Sequence, residues 1–292
     1  MVLRGPVLVG TDLTEAAGEA VRAGAELARA LESRVIVCHV IPEFFPDVAL
    51  FQEFRRTTRQ AHESLLADAR EAVQAHVASV LNPGDAESVD IVLETGTPHV
   101  GILRQAEQRD AGVLALAPGS SATDVVRHAT TPVLVARPSP RGPVVGATDF
   151  SDLSLPALQV AAIEARRRGA PLHLLHVFDT TVFAERRAPA TAMPYLQGKS
   201  WIALEGLDEL QAIAKRRLDE SLRQSGLPGE TVIVSGLAAV GITQYAESAG
   251  AELVVVGTQG RSGLKRLTLG STAAEVIDRA PCSVMVVRLD VN

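Results

Sequence analysis

This chain of 292 residues contains its own pattern twice. Val7-Leu8-Val9-Gly10-Thr11-Asp12-Leu13-Thr14 returns as Val144-Val145-Gly146-Ala147-Thr148-Asp149-Phe150-Ser151. Val35-Ile36-Val37-Cys38-His39-Val40 returns as Leu172-His173-Leu174-Leu175-His176-Val177. Gly96, Val100, Gly101, Ile102, Ala106 and Glu107 recur as Gly236, Val240, Gly241, Ile242, Ala246 and Glu247. Gly119-Ser120-Ser121-Ala122 is matched by Gly270-Ser271-Thr272-Ala273, and Val133-Leu134-Val135 by Val284-Met285-Val286. Four matches in the same order make a duplication. A period of about 140 residues is the size of a domain and far too long for a solenoid repeat. Prolines 138, 140 and 143 with Gly142 mark a short stiff linker, so the expected domains are 1–140 and 141–292.

Each half alternates strand and helix signals. In the second half, Val144 to Gly146 and Leu172 to Phe178 are apolar runs too short for long helices. Between them Leu158, Ala161, Ala162 and Ala165 recur at helical spacing. Ser154 is the expected cap, Pro156 sits in the first turn and Gly169 ends the run. A stretch from Thr180 to Gly206 has no clear period; a mobile loop, a lid and a partner surface all fit it. Trp201 within it fits either a contact or the core. Leu207 to Leu222 reads as an amphipathic helix, Thr231 to Val234 as a strand and Val240 to Ser248 as a helix. Leu253 to Val256 and Ser283 to Val287 are the last strands, with a helix over Thr272 to Asp278 between them. Strands alternating with helices imply α/β architecture with a covered parallel sheet. The expectation is two tandem, doubly wound, five-stranded parallel-sheet domains of Rossmann-like type.

Composition narrows the function. Aromatic residues are 3% of the chain against 47% hydrophobic, so the core is aliphatic. A net charge of −6 argues against nucleic acid as the main partner. No apolar run is long enough to span a bilayer, and Met1 to Pro6 lacks the layout of a signal peptide. Cys38 and Cys282 lie in no metal-type spacing and read as reduced structural thiols. The expected location is cytoplasmic, without a membrane partner.

In open parallel sheets, ligands bind beyond the carboxyl ends of the strands. Three places in the second half qualify. Asp149, past the first strand, suits either a sugar hydroxyl or plain turn formation. His176-Val177-Phe178 offers backbone groups and an apolar wall, though His176 alone reads as a packed strand histidine. The third runs from Val254 to Thr272, as strand, glycine-rich loop and helix start. Gly257 lets the chain turn off the strand, and Gly260 lets backbone N–H groups approach an anion. Gly270-Ser271 puts amide donors and a hydroxyl at a helix N-terminus. Thr272 and Glu275 have the spacing of a capping box. Arg261, Lys265 and Arg266 add positive charge that is either functional or solvated. The pattern is G-x2-G-x9-G-[ST]; neither a Walker A loop nor G-x-G-x-x-G is present.

With these motifs the chain resembles a tandem universal stress protein, with the nucleotide-binding subclass in its second half and the fold of the adenine nucleotide α hydrolases. The resemblance implies ATP as ligand, with ADP or AMP as alternatives, and Mg²⁺ held through the phosphates. It implies that Ala147, Thr148, Asp149 and Val177 hold the adenosine. Val256, Gly257, Gly260, Arg261, Gly263, Gly270, Ser271 and Thr272 would then hold ribose and phosphates. The first half keeps Asp12, Val40, Gly119 and Ser120, but only Ala117-Pro118 stands where the long loop belongs. It is expected to be structural. Family members pair through their last strands, so the resemblance also implies an internal pseudo-dimer and a homodimer of chains.

No general base or set of metal carboxylates is arranged for dedicated catalysis, so the expected role is an ATP-binding regulator of the stress response with at most slow hydrolysis. A scaffold that binds no nucleotide is the alternative. An adenylyl transferase or ATP pyrophosphatase is disfavoured, because HxGH and S-G-G-x-D are absent.

Overall fold

The structure, a computed structural model, describes residues 3–42, 55–178, 200–258 and 269–288, with only the backbone course described for 55–62 and 200–207. The chain divides into two compact units, Val2–Pro138 and Ser139–Asn292.

The first unit runs β1 (Val7–Thr11), α1 (Glu15–Ala30), β2 (Val35–Ile41), α2 (Arg55–Val80), α3 (Pro83–Glu87), β3 (Asp90–Thr95), α4 (Pro98–Gln108), β4 (Val113–Leu116), α5 (Ser120–His128) and β5 (Val133–Val135). Its strands are parallel in the order β3-β2-β1-β4-β5. The second unit runs β6 (Val144–Ala147), α6 (Leu155–Arg168), β7 (Leu172–Phe178), α7 (Ser200–Ser225), β8 (Gly229–Ser235), α8 (Ala238–Ser248), β9 (Leu253–Gly257), α9 (Ser271–Arg279) and β10 (Ser283–Val287). Its order, β8-β7-β6-β9-β10, repeats the first. The first strand of each unit is central, and the chain winds outward to either side of it. That reversal is the switch point where strand ends splay apart and leave a crevice.

Both faces of the central strands are covered. Every residue of β1, β4 and β6 is buried, as expected of a strand that packs helices on both sides. Beyond Cys38, Cys282 and Met285, the buried hydrophobic core is Val, Leu, Ile and Ala, as the scarcity of aromatics requires. Cys38 lies fully inside it; burial, aided by the charge of Glu94, pushes its thiol pKa up to about 12. Glu164 is a fully buried carboxylate in α6. Arg167 reaches it at 2.6 Å and Arg168 at 3.1 Å, and Arg168 also reaches Glu252 at 3.2 Å.

Three local expectations need correction. Helix α7 begins at Ser200, so Ser200 to Gly206 are helical and not part of an irregular stretch; Thr180 to Lys199 and the side chain of Trp201 lie outside the described residues. Ser154 occupies the cap position of α6 without a side-chain capping bond. Its hydroxyl donates to the Ser151 carbonyl at 2.9 Å and meets Thr148 Oγ1 at 2.8 Å. The Thr272–Glu275 capping box does not form. Helix α9 starts one residue earlier, with Gly270 at the cap, and Glu275 pairs with Arg279 at 2.8 Å. Gly169 does close α6 in the left-handed conformation, φ 65°, which an unbranched backbone adopts without strain.

Candidate functional site

The turn after β6 is held by its own side chains. Thr148 Oγ1 accepts the Phe150 N–H at 2.9 Å. Asp149 Oδ1 accepts both the N–H (3.0 Å) and the hydroxyl (2.5 Å) of Ser151. Phe150 is thereby fixed at φ 62°, an uncommon value for a bulky residue. The first unit builds the same turn: Thr11 Oγ1 accepts from Leu13, Asp12 Oδ1 accepts from Thr14, and Leu13 has φ 66°. Asp149 thus does form its turn, and it also lines the cavity that the turn borders.

That cavity, about 720 Å³, lies wholly within the second unit at the carboxyl ends of its strands. The volume is in the range of a small-molecule site. Ala147, Thr148 and Asp149 line it from the end of β6, and Val177 from β7. Val256 and Gly257 line it from β9, and Gly270, Ser271 and Thr272 from the start of α9. Gly260, Arg261 and Gly263, with Lys265 and Arg266, lie outside the described residues. The two feet of the intervening segment are joined, because the Gly270 N–H donates to the Thr258 carbonyl at 2.8 Å. Since α9 has no side-chain cap, its first-turn N–H groups and the positive end of its dipole are offered to the cavity.

His176 is held as a packed strand histidine. Its Nδ1–H donates to the Thr148 carbonyl at 2.7 Å, as that of His39 does to Thr11 at 2.8 Å. Its ring lies 4.6 Å from Phe150 and 5.1 Å, edge to face, from Phe178.

Sequence reasoning missed one wall. Leu210, Ile213, Ala214 and Arg217 of α7 line the cavity, as do Ala238 and Ile242 of α8. The helical period around Leu207 to Leu222 was visible, but a period says that a face is apolar and not what it covers.

The first unit departs from this arrangement. Only Ala117 and Pro118 separate β4 from Gly119, which caps α5 without a side-chain bond. A methyl on Gly10, the counterpart of Ala147, would run into the side chains of Leu116 and Ile102. Leu116 stands where the second unit has Val256, so space lined by Ala147 in one unit is taken by a leucine in the other. Among the described residues there is no group of three or more His, Cys, Asp or Glu placed to hold a metal, and no helix is long and apolar enough to cross a membrane.

The model of the Universal stress protein family matches residues 4–137 and again 141–288. The chain is 29% identical over 310 aligned positions to the universal stress protein Rv1996 of Mycobacterium tuberculosis, covering 97% of this chain and 95% of that protein. It is 32% identical over 145 residues to the universal stress protein MJ0531 of Methanocaldococcus jannaschii, covering 50% of this chain and 81% of that one. The crystal structure of a universal stress protein from Archaeoglobus fulgidus shares the fold, with a TM-score of 0.65 at 19% identity, covering 99% of this chain and 98% of that chain.

Proposed function

The chain belongs to the universal stress protein family, and from that premise we propose that its second unit binds ATP and reports its occupancy to a protein partner. The observation that carries this reading is the cavity at the switch point, which gathers strand-end, turn and helix residues from six separate parts of the sequence. Asp149 and the end of β7 would hold the adenosine. The glycine-rich segment and the uncapped start of α9 would hold the phosphates, because backbone N–H groups and a helix dipole favour negative charge. Mg²⁺ would arrive with the phosphates and neutralise part of their charge; no protein ligand is assigned to it.

The described residues that line the cavity present no arranged pair of general acid and base. His176, the histidine among the described lining residues, is tied through Nδ1 to a backbone carbonyl and packed between two rings. ATP would therefore act as a bound signal and turn over slowly at most. The first unit, with Leu116 and Ile102 packed against Gly10, serves the architecture. Pairing with a second copy and a cytoplasmic location belong to the same proposal.

Denaturing the purified protein and identifying released nucleotide tests the reading directly. A single ATP per chain is the expected result. Added ATP at a hundred times its Kd should stabilise the protein by about 2.7 kcal/mol. Gly270→Val, which crowds the helix start with a branched side chain, should abolish the effect. No release and no stabilisation would refute the proposal, and two ATP per chain would refute the asymmetry between the units.

A further inference from the structure

Leu210, Ile213, Ala214 and Arg217 share one face of α7 through their i, i+3, i+4, i+7 spacing, and that face borders the cavity. Ala214 and Leu218 are buried and hold the helix against the sheet. Leu210 and Ile213 nonetheless keep 46% and 37% of their surface exposed. Two large aliphatic side chains left open beside a cavity gain by being covered when it fills.

Arg217 gives that wall a specific chemistry. Its guanidinium carbon lies 5.7 Å from the centroid of the Phe150 ring. Arg217 makes no ion pair among the described residues, whereas Lys215 pairs with Asp219 and Arg223 with Glu220 on the same helix. It is also the one lysine or arginine among the described lining residues. Phe150 in turn packs on His176, and His176 on Phe178. Phe150 and Phe178 are the phenylalanines among the described residues, in a chain with 3% aromatic residues, and both line this cavity. Their counterparts in the first unit are Leu13 and Ile41.

We infer that this face of α7 recognises the planar base of the ligand, with Arg217 as the specificity-determining residue. The inference rests on the nucleotide reading and adds which part of the nucleotide the helix reads. Phe150 braces the guanidinium, whose N–H donors then face a heteroaromatic ring laid along Leu210 and Ile213. An uncharged ring suits this wall. Phosphate oxygens pressed against Leu210 and Ile213 would lose their hydration, and backbone donors for them are available at the start of α9.

Titration calorimetry with ATP, and with adenosine as its competitor, tests the inference on wild type, Arg217→Ala, Arg217→Lys and Ile213→Ala. Arg217→Ala should weaken ATP and adenosine by the same factor, about 3- to 30-fold. Arg217→Lys keeps the charge but not the plane and should recover little of the loss. Ile213→Ala should weaken both ligands in parallel. The side chain of Arg217 is exposed, so the melting temperature without ligand should stay unchanged. A loss confined to ATP would place Arg217 on the phosphates and overturn the inference. Unchanged affinity for both ligands in Arg217→Ala and Ile213→Ala would also overturn it, while leaving the nucleotide reading intact. A wild type that binds neither ligand overturns both.

Discussion

Gly241 and Gly101 provide a matched pair of perturbations. Each is a helical glycine pressed against the end of the second strand of its unit. A Cβ on Gly241 would lie 2.9 and 3.0 Å from the two methyls of Val177 and 3.0 Å from Val234 Cγ2. A Cβ on Gly101 would lie 2.9 and 3.2 Å from the methyls of Val40. Ordinary carbon contacts are about 3.5–4.0 Å, so each substitution requires a shift of roughly half an ångström or more. Valine cannot rotate away cheaply, because it is branched at Cβ. Overpacking of this kind costs about 1–3 kcal/mol. Replacing a helical glycine by alanine returns about 1 kcal/mol, so the net destabilisation is about 0–2 kcal/mol in either unit. The two variants should therefore lose similar stability in urea unfolding. They should differ in binding. Val177 lines the cavity, so Gly241→Ala displaces one of its walls and should raise the Kd for ATP about 3- to 10-fold, about 1 kcal/mol. Gly101→Ala should leave that Kd unchanged in calorimetry. Equal weakening of ATP by both variants would refute the assignment of binding to the second unit. A destabilised Gly241→Ala with wild-type affinity would refute the role of the β7 end.

Two further predictions concern stability. Glu164→Ala removes the carboxylate that Arg167 and Arg168 share, and breaking a buried pair costs about 3–5 kcal/mol. Because the arginine side chains keep 19% and 21% of their exposure, the lower end is expected, about 3 kcal/mol by urea unfolding; a loss below about 1 kcal/mol would contradict the role given to Glu164. Burial holds the pKa values of His76 and His173 below their ordinary 6.5, with Asp12 and Glu230 opposing the shift only in part. In the unfolded chain both take up protons as the pH falls through about 6.5, while the folded protein resists, so stability is full above that pH and declines below it. The double variant His76→Gln, His173→Gln should flatten the decline between about pH 6.5 and 5.5 in thermal melts, and an unaltered slope would show that other groups carry it.

The duplication, the alternation of strand and helix and the positions of β7 and β10 were all legible in the residues, because each rests on local patterns. Nine residues expected at the site line the cavity for a related reason. Strand ends and glycines are recognisable in sequence, and open parallel sheets put ligands at their strand ends. Where expectation failed, a competing partner had taken the group. Ser154 and Thr272 look like caps by spacing, but the Ser154 hydroxyl finds Thr148 and Ser151, and α9 starts at Ser271 with Gly270 at the cap, two residues too early for Thr272 to serve. Sequence alone determined that the two halves share one architecture and that the long glycine loop survives only in the second. Tertiary structure alone decided that Leu116 fills toward Gly10 and that α7 turns Leu210, Ile213 and Arg217 toward Phe150 and the cavity. Those contacts join residues that are distant in the chain, so no local period records them. Their geometry exists only once the sheet has brought the strand ends together.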